Sequence, residues 1–393
     1  MNKHLLDSEA QAYINNHLND DVHQIAMAKS PIANVEAREL SGQIVSKQKA
    51  MKKLPTWYHQ EGIYYPPSLC IEQTSSETTA LYKSKLVSGD SMIDLTGGFG
   101  VDSFFFAKQV SALTHCEINP ELSEIAAHNA RKLGSNNISF LAGDGLEYLQ
   151  NYDGHFGAIY IDPARRSNQG KVFKLADCSP NVVEHLDLLL KKAPRIIIKT
   201  APLLDITAGL KELKNVAEIH IVSTRNEVKE LLWIINSNPS EQLKIVAVTL
   251  NEKIKTFSFS TSEDIPVQAF ASSPVSGYLY EPDAALLKSG AFNLIAERYA
   301  LHKLDQQTQL YQADELKPEF PGRIFKINHV MSSGEFKKQK DLVGNVISRN
   351  YREKAENLVK KYKIRPDQQR FLVFTQSKAM GFIIISAEIE QHY

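Results

Sequence analysis

The sequence has little cysteine, no long apolar run and no net charge, and each shortage argues against a class of protein. Its 393 residues include three cysteines, Cys70, Cys116 and Cys178, without a CxxC pair, so neither a disulfide framework nor a cysteine zinc site is indicated. No apolar stretch approaches the roughly 18 residues of a membrane span, and the N terminus lacks the apolar segment of a signal peptide. We therefore expect a cytoplasmic protein without membrane or metal partners.

Charge gives no global indication of a partner. The chain has 45 basic and 45 acidic residues, so its formal net charge is zero, and any surface for nucleic acid must be local. Hydrophobic residues make up 43% of the sequence, which is enough for the cores of two or three domains.

The pattern of apolar residues changes twice along the chain and predicts three regions. Residues 1–85 show helical spacing, with Asn34 and Ser75 or Ser76 as candidate N-caps. Over residues 86–262 seven apolar strands alternate with amphipathic helices, which predicts a doubly wound, Rossmann-like α/β domain with a mostly parallel sheet. Residues 263–393 are mixed, and within them a small α+β unit is expected at about 320–393.

The stretch "MIDLTGGFGVDS" predicts a ligand-binding turn after the first strand of the sheet. Gly97, Gly98 and Gly100 permit close approach of a ligand, and Asp94 presents a carboxylate at the strand end. A dinucleotide fingerprint counted from Gly98 fails at its sixth position, which is Ser103. The turn therefore favours an amine-bearing or partly cationic ligand over a pyrophosphate.

Four consecutive predicted strands end in a carboxylate. After Asp94 these are Glu117 in "CEINP", Asp144 in "AGDG" and Asp162 in "IDPARR". Each acid alone fits an ordinary turn or helix cap, but parallel strands bring all four to one edge of the sheet. Glu117 follows Asp94 by 23 residues (117 − 94), about the separation at which an acid binds a ribose, so the series suggests a nucleoside ligand.

In this order and spacing, "DLTGGFG", "EINP", "GDG" and "IDPARR" resemble the motifs of class I S-adenosylmethionine-dependent methyltransferases over roughly residues 70–250. The pair "DLTGGFGVD" and "IDPARR" looks like RNA base methyltransferases, including enzymes for the N2 atom of guanine. The stretch from Glu72 to Lys83 and the C-terminal region are similar to a bacterial methyltransferase group with a C-terminal THUMP-like domain. The resemblance implies S-adenosylmethionine as the cofactor.

The resemblance also implies roles for individual residues. Residues near the methionine part, the ribose and the adenine of the cofactor would be Asp94, Thr96, Gly97, Gly98, Gly100, Glu117, Ile118, Asp144 and Gly145. The catalytic set would be Asp162, Pro163 and Arg165. Here the sequence departs from the usual amino-methyltransferase motif, because Ala164 and Arg165 replace a proline and an aromatic ring; Arg165 can stack on a base or hold a phosphate. Lys199, at the end of the fifth strand, can face the same site or point to solvent.

The C-terminal region contains a strong local positive charge. Residues 337–370, called the basic tail below, hold eleven Lys or Arg and four acids, a net charge of +7 (11 − 4). Phe336, Tyr351 and Tyr362 lie among them as candidate stacking surfaces. A solvated helix face is the alternative. The predicted RNA-binding residues are Lys337, Lys338, Arg349, Arg352, Lys360 and Lys361.

The sequence thus predicts an S-adenosylmethionine-dependent methyltransferase that acts on a base nitrogen in structured RNA, either rRNA or tRNA. Three alternatives stay open: a methyltransferase for a protein or small molecule, a catalytically silent RNA-binding protein that keeps the cofactor fold, and, more remotely, a nicotinamide oxidoreductase. A uracil-C5 mechanism would need a cysteine nucleophile, for which Cys178 is the candidate.

Overall fold

The computed structural model describes residues 1–165, 174–238, 242–271 and 274–393, apart from the side chain of Arg165. The chain forms two compact units. The first comprises Met1–Ala217 and Leu232–Ser240, and the second comprises Glu218–Leu231 and Glu241–Tyr393. These limits do not follow the boundaries expected at residues 85 and 262, because the N-terminal helices join the α/β core and a strand hairpin is divided between the units.

The first unit begins with helices, as the sequence predicts. They are the 3₁₀-helix η1 (Lys3–Leu6) and the α-helices α1 (Ser8–Asn16), α2 (Val22–Met27), α3 (Ala37–Lys53), α4 (Pro55–His59), α5 (Ser68–Gln73) and α6 (Glu77–Ser84). Glu36, rather than Asn34, caps α3 through a capping box with Glu39, and the Ser76 hydroxyl caps α6.

A buried cluster joins these helices to the α/β part of the same unit. The cluster includes Leu40, Ile44 and Trp57 from the helical segment and Phe104 and Ile125 from the α/β part. The Trp57 ring packs edge-to-face on that of Phe104, with centroids 4.9 Å apart. The N-terminal helices therefore share one buried core with the glycine turn and the helices of the α/β part.

The α/β part follows, with strands and helices that alternate from β1 to β4 and again from α10 to β8. Its elements are β1 (Ser91–Asp94), α7 (Val101–Phe106), β2 (Ala112–Glu117), α8 (Pro120–Lys132), β3 (Ile138–Ala142), α9 (Gly145–Asn151), β4 (Ala158–Ile161), β5 (Ala164–Arg165), η2 (Leu175–Asp177), β6 (Cys178–Ser179), α10 (Leu186–Lys192), β7 (Arg195–Thr200), α11 (Ile206–Glu212), β8 (Val216–Thr224) and β9 (Glu227–Asn236).

The sheet of the first unit has the order β7-β4-β1-β2-β3, with residues of β9 beside β7. Strands β7, β4, β1, β2 and β3 are all parallel. Chain order reverses at β1, which lies between β4 and β2, so the carboxyl end of β1 is the switch point where ligands bind in open α/β sheets. The Rossmann-like architecture predicted from the alternation of strands and helices is confirmed.

The second unit contains most of the β8 and β9 residues and all later elements. These are β10 (Lys244–Leu250), β11 (Ile254–Ser260), β12 (Tyr278–Pro282), α12 (Ala284–Ser289), α13 (Phe292–Arg298), β13 (His302–Lys303), β14 (Tyr311–Ala313), β15 (Gly322–Ser332), α14 (Ser333–Phe336), β16 (Asn345–Ser348), α15 (Ala355–Tyr362), β17 (Arg370–Ser377) and β18 (Gly381–Gln391). Strand β10 pairs parallel with β8 and antiparallel with β11.

A second sheet, in the order β13-β14-β12-β15-β18-β17-β16, forms the rest of this unit. Its pairs are antiparallel except for β16 and β17. One face packs on α14 and α15 through Phe336, Leu358 and Phe374. The small α+β unit expected at about 320–393 contains β16, α15, β17 and β18, in the order strand, helix, strand and strand.

Two features are absent from the described ranges. No helix in them combines the length and apolar character that crossing a membrane requires. The same ranges contain no group of three or more His, Cys, Asp or Glu side chains placed to hold a metal ion.

Candidate active site

The carboxyl edge of the first unit's sheet collects the four acids that the sequence singled out. Asp94 and Glu117 are the last residues of β1 and β2, Asp144 caps α9 after β3, and Asp162 follows β4. The strand order places these positions side by side. The prediction that they share one edge is therefore confirmed, while their individual roles stay predictions.

Thr96 connects the ends of two of these strands. Its backbone N–H donates to Asp94 Oδ1 at 3.0 Å, and its hydroxyl Oγ1 accepts from the Asp162 N–H at 2.7 Å. A glycine in place of Thr96 would leave the Asp162 N–H without this hydroxyl acceptor. Threonine thus fixes the start of the "DPAR" loop relative to the glycine turn.

The glycine turn combines an open side with a tightly packed side. Gly98 and Gly100 have φ of +56° and +84°, which favours glycine, and a Cβ on Gly98 would find its nearest neighbour 3.9 Å away. A Cβ on Gly97 would lie 2.2 Å from Nε2 of the buried His115. Gly98 therefore borders open space, whereas Gly97 makes room for an imidazole ring that the sequence analysis did not identify.

Burial lowers the pKa of His115 to about 4, so this ring is neutral at physiological pH. Gly145 has a similar packing role, because a Cβ there would lie 2.8 Å from the carbonyl oxygen of Leu95. Two of the predicted cofactor-binding glycines, Gly97 and Gly145, thus owe their identity to packing beneath the turn.

The edge beside the turn fits a nucleoside cofactor. Glu117 accepts from the N–H groups of Gly98 at 2.9 Å and Asn119 at 2.8 Å, which holds the turn against β2. Asp144 uses Oδ1 to cap α9, and its side chain is exposed. Ile118, the residue after Glu117, is 73% exposed and offers an uncovered apolar surface. An adenosine would meet acceptors for its hydroxyl and amino groups and an apolar surface for its ring.

Asp162 is paired with a lysine at the same edge. Lys199, the fifth residue of β7, donates from Nζ to Asp162 Oδ2. Of the two environments expected for Lys199, the structure thus shows the one facing the site. Pro163 is buried and Ala164 is exposed. The side chain of Arg165 and residue Arg166 lie outside the described parts of the chain.

A second charged group is buried where α6 meets α7, and it was not predicted from the sequence. Lys83 Nζ contacts Asp102 Oδ1 at 3.2 Å, while Ser75 and Tyr160 donate to Asp102 Oδ2 at 2.8 and 2.9 Å. Burial opposes ionisation of Asp102, yet Lys83 and Lys199 hold its pKa below the ordinary value. Only the resemblance around Lys83 gave a signal for this network.

The Asp94 carboxylate has a strongly perturbed pKa. Burial, with a smaller contribution from the charges of Asp102 and Asp162, raises its pKa to about 7, although hydrogen bonds from Ser103 and Thr96 oppose the shift. Asp94, Asp102 and Asp162 thus form one electrostatic group, in which Lys83 pairs with Asp102 and Lys199 pairs with Asp162. A buried carboxylate with so perturbed a pKa, hydrogen-bonded to the glycine turn, marks a candidate functional site.

The cysteine alternative finds no support in the geometry. Cys178 is 1% exposed, and its backbone pairs with Arg165 between the short strands β5 and β6. A nucleophile for a base needs access to the ligand. The uracil-C5 reading is therefore disfavoured.

The predicted RNA-binding residues all belong to the second unit, where they divide into two groups. Lys337, Lys338, Lys360 and Lys361 are exposed at the ends of α14 and α15, and Lys361 bonds Glu353 at 2.8 Å. Arg349 and Arg352 line a cleft beside β16. The aromatic prediction was wrong for Phe336, which is buried at 1% exposure.

Comparisons with known proteins support the reading of the fold. A ferredoxin-like domain family matches residues 278–321. A crystal structure from Porphyromonas gingivalis W83, provisionally named a methyltransferase, is 29% identical, with a TM-score of 0.87 and coverage of 98% of this chain and 99% of that one.

Two sequence relatives are called uncharacterized in their names. An S-adenosylmethionine-dependent methyltransferase of Mycobacterium tuberculosis (strain ATCC 25618 / H37Rv) is 25% identical over 253 residues, which are 64% of this chain and 66% of that protein. An RNA methyltransferase of Mycoplasma mobile is 24% identical over 169 residues, which are 39% of this chain and 46% of that protein.

These comparisons confirm the expected methyltransferase fold and a ferredoxin-like α+β region in the C-terminal part. They also agree with the enzyme class and cofactor expected from the sequence, because relatives are named as S-adenosylmethionine-dependent methyltransferases. The family match is to a ferredoxin-like domain, so the THUMP-like assignment stays a prediction.

Proposed function

We propose that this chain, a relative of S-adenosylmethionine-dependent methyltransferases, methylates a base nitrogen, an exocyclic amine, in structured RNA of the rRNA or tRNA class. The observation that carries the proposal is the joined edge of the first unit, where the glycine turn, Asp94, Thr96 and Asp162 are connected by hydrogen bonds. When bound, S-adenosylmethionine supplies a methyl group on a cationic sulfur. The residues of this chain then have to position the acceptor and exclude water.

Asp162 and Pro163 are the proposed acceptors for the target amine. A carboxylate oxygen of Asp162 and the Pro163 carbonyl oxygen accept hydrogen bonds from the amine N–H groups and so direct its lone pair. Lys199 holds the other carboxylate oxygen, and the Thr96 hydroxyl holds the Asp162 backbone. Positioning of this kind supplies much of the rate enhancement when the two reacting atoms meet at near-attack distance.

The RNA part of the proposal is supported by charge and by the names of relatives. The basic tail carries +7 in a chain of zero net charge, as expected of a local phosphate-binding surface. Relatives from Mycoplasma mobile and Streptococcus pneumoniae are named RNA methyltransferases. We propose that the C-terminal unit acts as a THUMP-like module that presents RNA to Asp162.

Mass spectrometry of nucleosides tests the substrate class directly. Digested rRNA and tRNA from cells with and without the gene should differ in one methylated nucleoside, and purified protein with labelled cofactor should restore it to the deficient RNA. No difference in either pool, with cofactor binding intact, would contradict an RNA substrate and favour a protein or small-molecule acceptor or a silent RNA-binding protein.

Asp162 provides the matching test of mechanism. Asp162→Ala should bind cofactor like the wild type in calorimetry and lose at least about 100-fold in single-turnover rate on the deficient RNA, because the amine loses its acceptor. Glu184→Ala, which changes an exposed acid of the same unit, is the control. Retained turnover in Asp162→Ala would remove this residue from the mechanism.

A further inference from the structure

The second unit contains an open cleft of about 680 Å³ beside β16 and the start of α15. We call it the Arg323 cleft, after the residue at its floor. Its lining includes Arg323, Asn345, Arg349, Arg352, Lys354 and Phe371. The volume falls within the range of ordinary ligand sites, but the lining is mainly polar and cationic instead of apolar. A small apolar ligand is therefore not the occupant that this cleft fits.

The floor of the cleft is a fixed pair of guanidinium groups. Glu281 on β12, 3% exposed, accepts from Arg323, which lies directly opposite on β15, and from Arg349 Nε at 2.9 Å. The Tyr393 hydroxyl donates to the same carboxylate at 3.1 Å. Two cations share one anion, so the floor keeps a positive charge in a position defined by buried hydrogen bonds.

Donors remain on this floor for a ligand. A guanidinium carries about five N–H donors and a carboxylate accepts about four hydrogen bonds, so one carboxylate cannot accept from all the N–H groups of two guanidinium groups. The Arg349 side chain is 46% exposed and Arg323 is 16% exposed. The planar fork of arginine matches the oxygens of a phosphate, which favours an anionic ligand with several such oxygens.

The rim adds two cations and two acids, one of which is paired with a lysine outside the lining. The Arg352 guanidinium carbon lies 4.5 Å from the centroid of the Phe382 ring, and Lys354 is the N-cap residue of α15; both are exposed. Glu353 and Glu356 are the acids of the lining, and Glu353 bonds Lys361 at 2.8 Å. No side chain of the described residues caps α15 at Lys354, so the first N–H groups of the helix add a partial positive charge.

We propose that the Arg323 cleft binds the phosphodiester backbone of the RNA, an inference that rests on the proposed function. The cleft is open, as a passing chain requires, and its groups suit phosphates more than bases. The Tyr351 ring packs against those of Phe374 and Phe382, and the Tyr362 ring packs against Phe336, so stacking contributes little. Binding here is therefore salt-dependent and tolerant of sequence.

The test measures RNA binding by the full-length chain in fluorescence anisotropy, with labelled total tRNA and rRNA fragments at several salt concentrations. Arg352→Glu/Lys354→Glu reverses the two rim charges and leaves the buried Glu281 cluster intact. We expect at least tenfold weaker binding and a salt slope reduced by about one for each cation lost. Arg323 and Arg349 are left unchanged, since their loss would strand a buried carboxylate.

Two further variants make the same change in charge at other places. Lys29→Glu/Lys211→Glu alters exposed residues of the first unit, and Lys337→Glu/Lys338→Glu alters the basic tail outside the cleft. Smaller losses in both support the cleft. Equal losses in all three variants, or wild-type binding in the rim variant, overturn it while leaving the proposed function standing. Failure of the wild type to bind any RNA overturns both.

Discussion

At the scale of single residues, the glycines of the turn are required for two different reasons, positive φ at some positions and close packing at another. Gly98 and Gly100 adopt positive φ, whereas Gly97 is needed because His115 occupies the space of a side chain. The sequence identified the turn but not the histidine, since nothing in "THCEINP" indicates which ring lies under which glycine. The spacing of residues along the sequence predicts which of them share an edge of the sheet, but it does not predict which side chain packs under the turn.

Gly97→Ala should therefore disrupt the turn, because its Cβ would fall 2.2 Å from the imidazole. We expect a loss of about 1–3 kcal/mol in the free energy of unfolding, the usual cost of overpacking, and weaker cofactor binding by calorimetry. Gly143→Ala is the matched control, because nothing lies within 4 Å of its Cβ position. Equal behaviour of the two variants would show that His115 does not restrict position 97.

Asp94 should make stability fall with pH. Its folded pKa is raised from 3.8 to about 7, so between these values the folded chain holds a proton that the unfolded chain has released. The free energy of unfolding should then decrease by up to about 1.4 kcal/mol per pH unit across this window, relative to Asp94→Asn. Chemical denaturation at pH 5, 6 and 7 measures the difference, and parallel pH profiles of the two proteins would contradict a raised pKa.

At the scale of elements, the buried Lys83 of α6 and Asp102 of α7 join two helices that the sequence treats separately. The bond ties the last helix of the N-terminal segment to the first helix after the glycine turn. Tyr160 of β4 donates to the same carboxylate. Helix α7 is thus held to α6 by the ion pair and to β4 by the Tyr160 hydrogen bond.

Lys83→Met should cost about 3–5 kcal/mol in the free energy of unfolding, because it leaves a buried carboxylate without its cation. Lys85→Met, two residues further on and exposed, is the control and should stay within about 0.5 kcal/mol of wild type. Adding Asp102→Asn to Lys83→Met removes the stranded charge and should recover part of the loss. A double variant no more stable than the single one would assign the cost to packing alone.

Elements were predicted where apolar residues formed an uninterrupted run. "AIYI" and "RIIIK" became β4 and β7, buried on both faces. The seven strands predicted within residues 86–262 correspond to β1, β2, β3, β4, β7, β8 and β10, and they do not include the long strands β9 and β11 or the two-residue strands β5 and β6. In β9 the charged residues of "EVKE" precede the apolar "LLWII". The turn before β9 has positive φ at Arg225 and Asn226, so it lacks the glycine that usually marks such a turn in a sequence. The β8–β9 hairpin therefore has no local sequence signal, although the second half of β9 is buried.

At the scale of the whole molecule, charge and apolar surface are distributed differently from what composition suggests. A chain of zero net charge concentrates +7 in residues 337–370. The sequence revealed this concentration, but the aromatic residues within it serve the core around Phe374. Burial depends on which face of an element meets another element, and that information is not local.

Each unit has its own buried clusters, and both tryptophans, Trp57 and Trp233, belong to the first. Leu358→Ala, in the second unit, should cost about 2–5 kcal/mol there. We expect the denaturation curve followed by circular dichroism to shift, while that followed by tryptophan fluorescence stays at the wild-type midpoint. Val359→Ala, at a residue 36% exposed, is the control. An equal shift of both curves would show that the units unfold as one.

All three cysteines also lie in the first unit, which leaves residues 241–393 without a thiol. Cys116 and Cys178 are buried, and burial raises the pKa of Cys70 and that of Cys116, the latter to about 12. A cysteine introduced into the second unit would therefore be its only thiol. A single cysteine introduced at the exposed Lys354 would react with a maleimide photocrosslinker far faster than the native thiols, and the nucleotides it captures would trace the path of a bound strand.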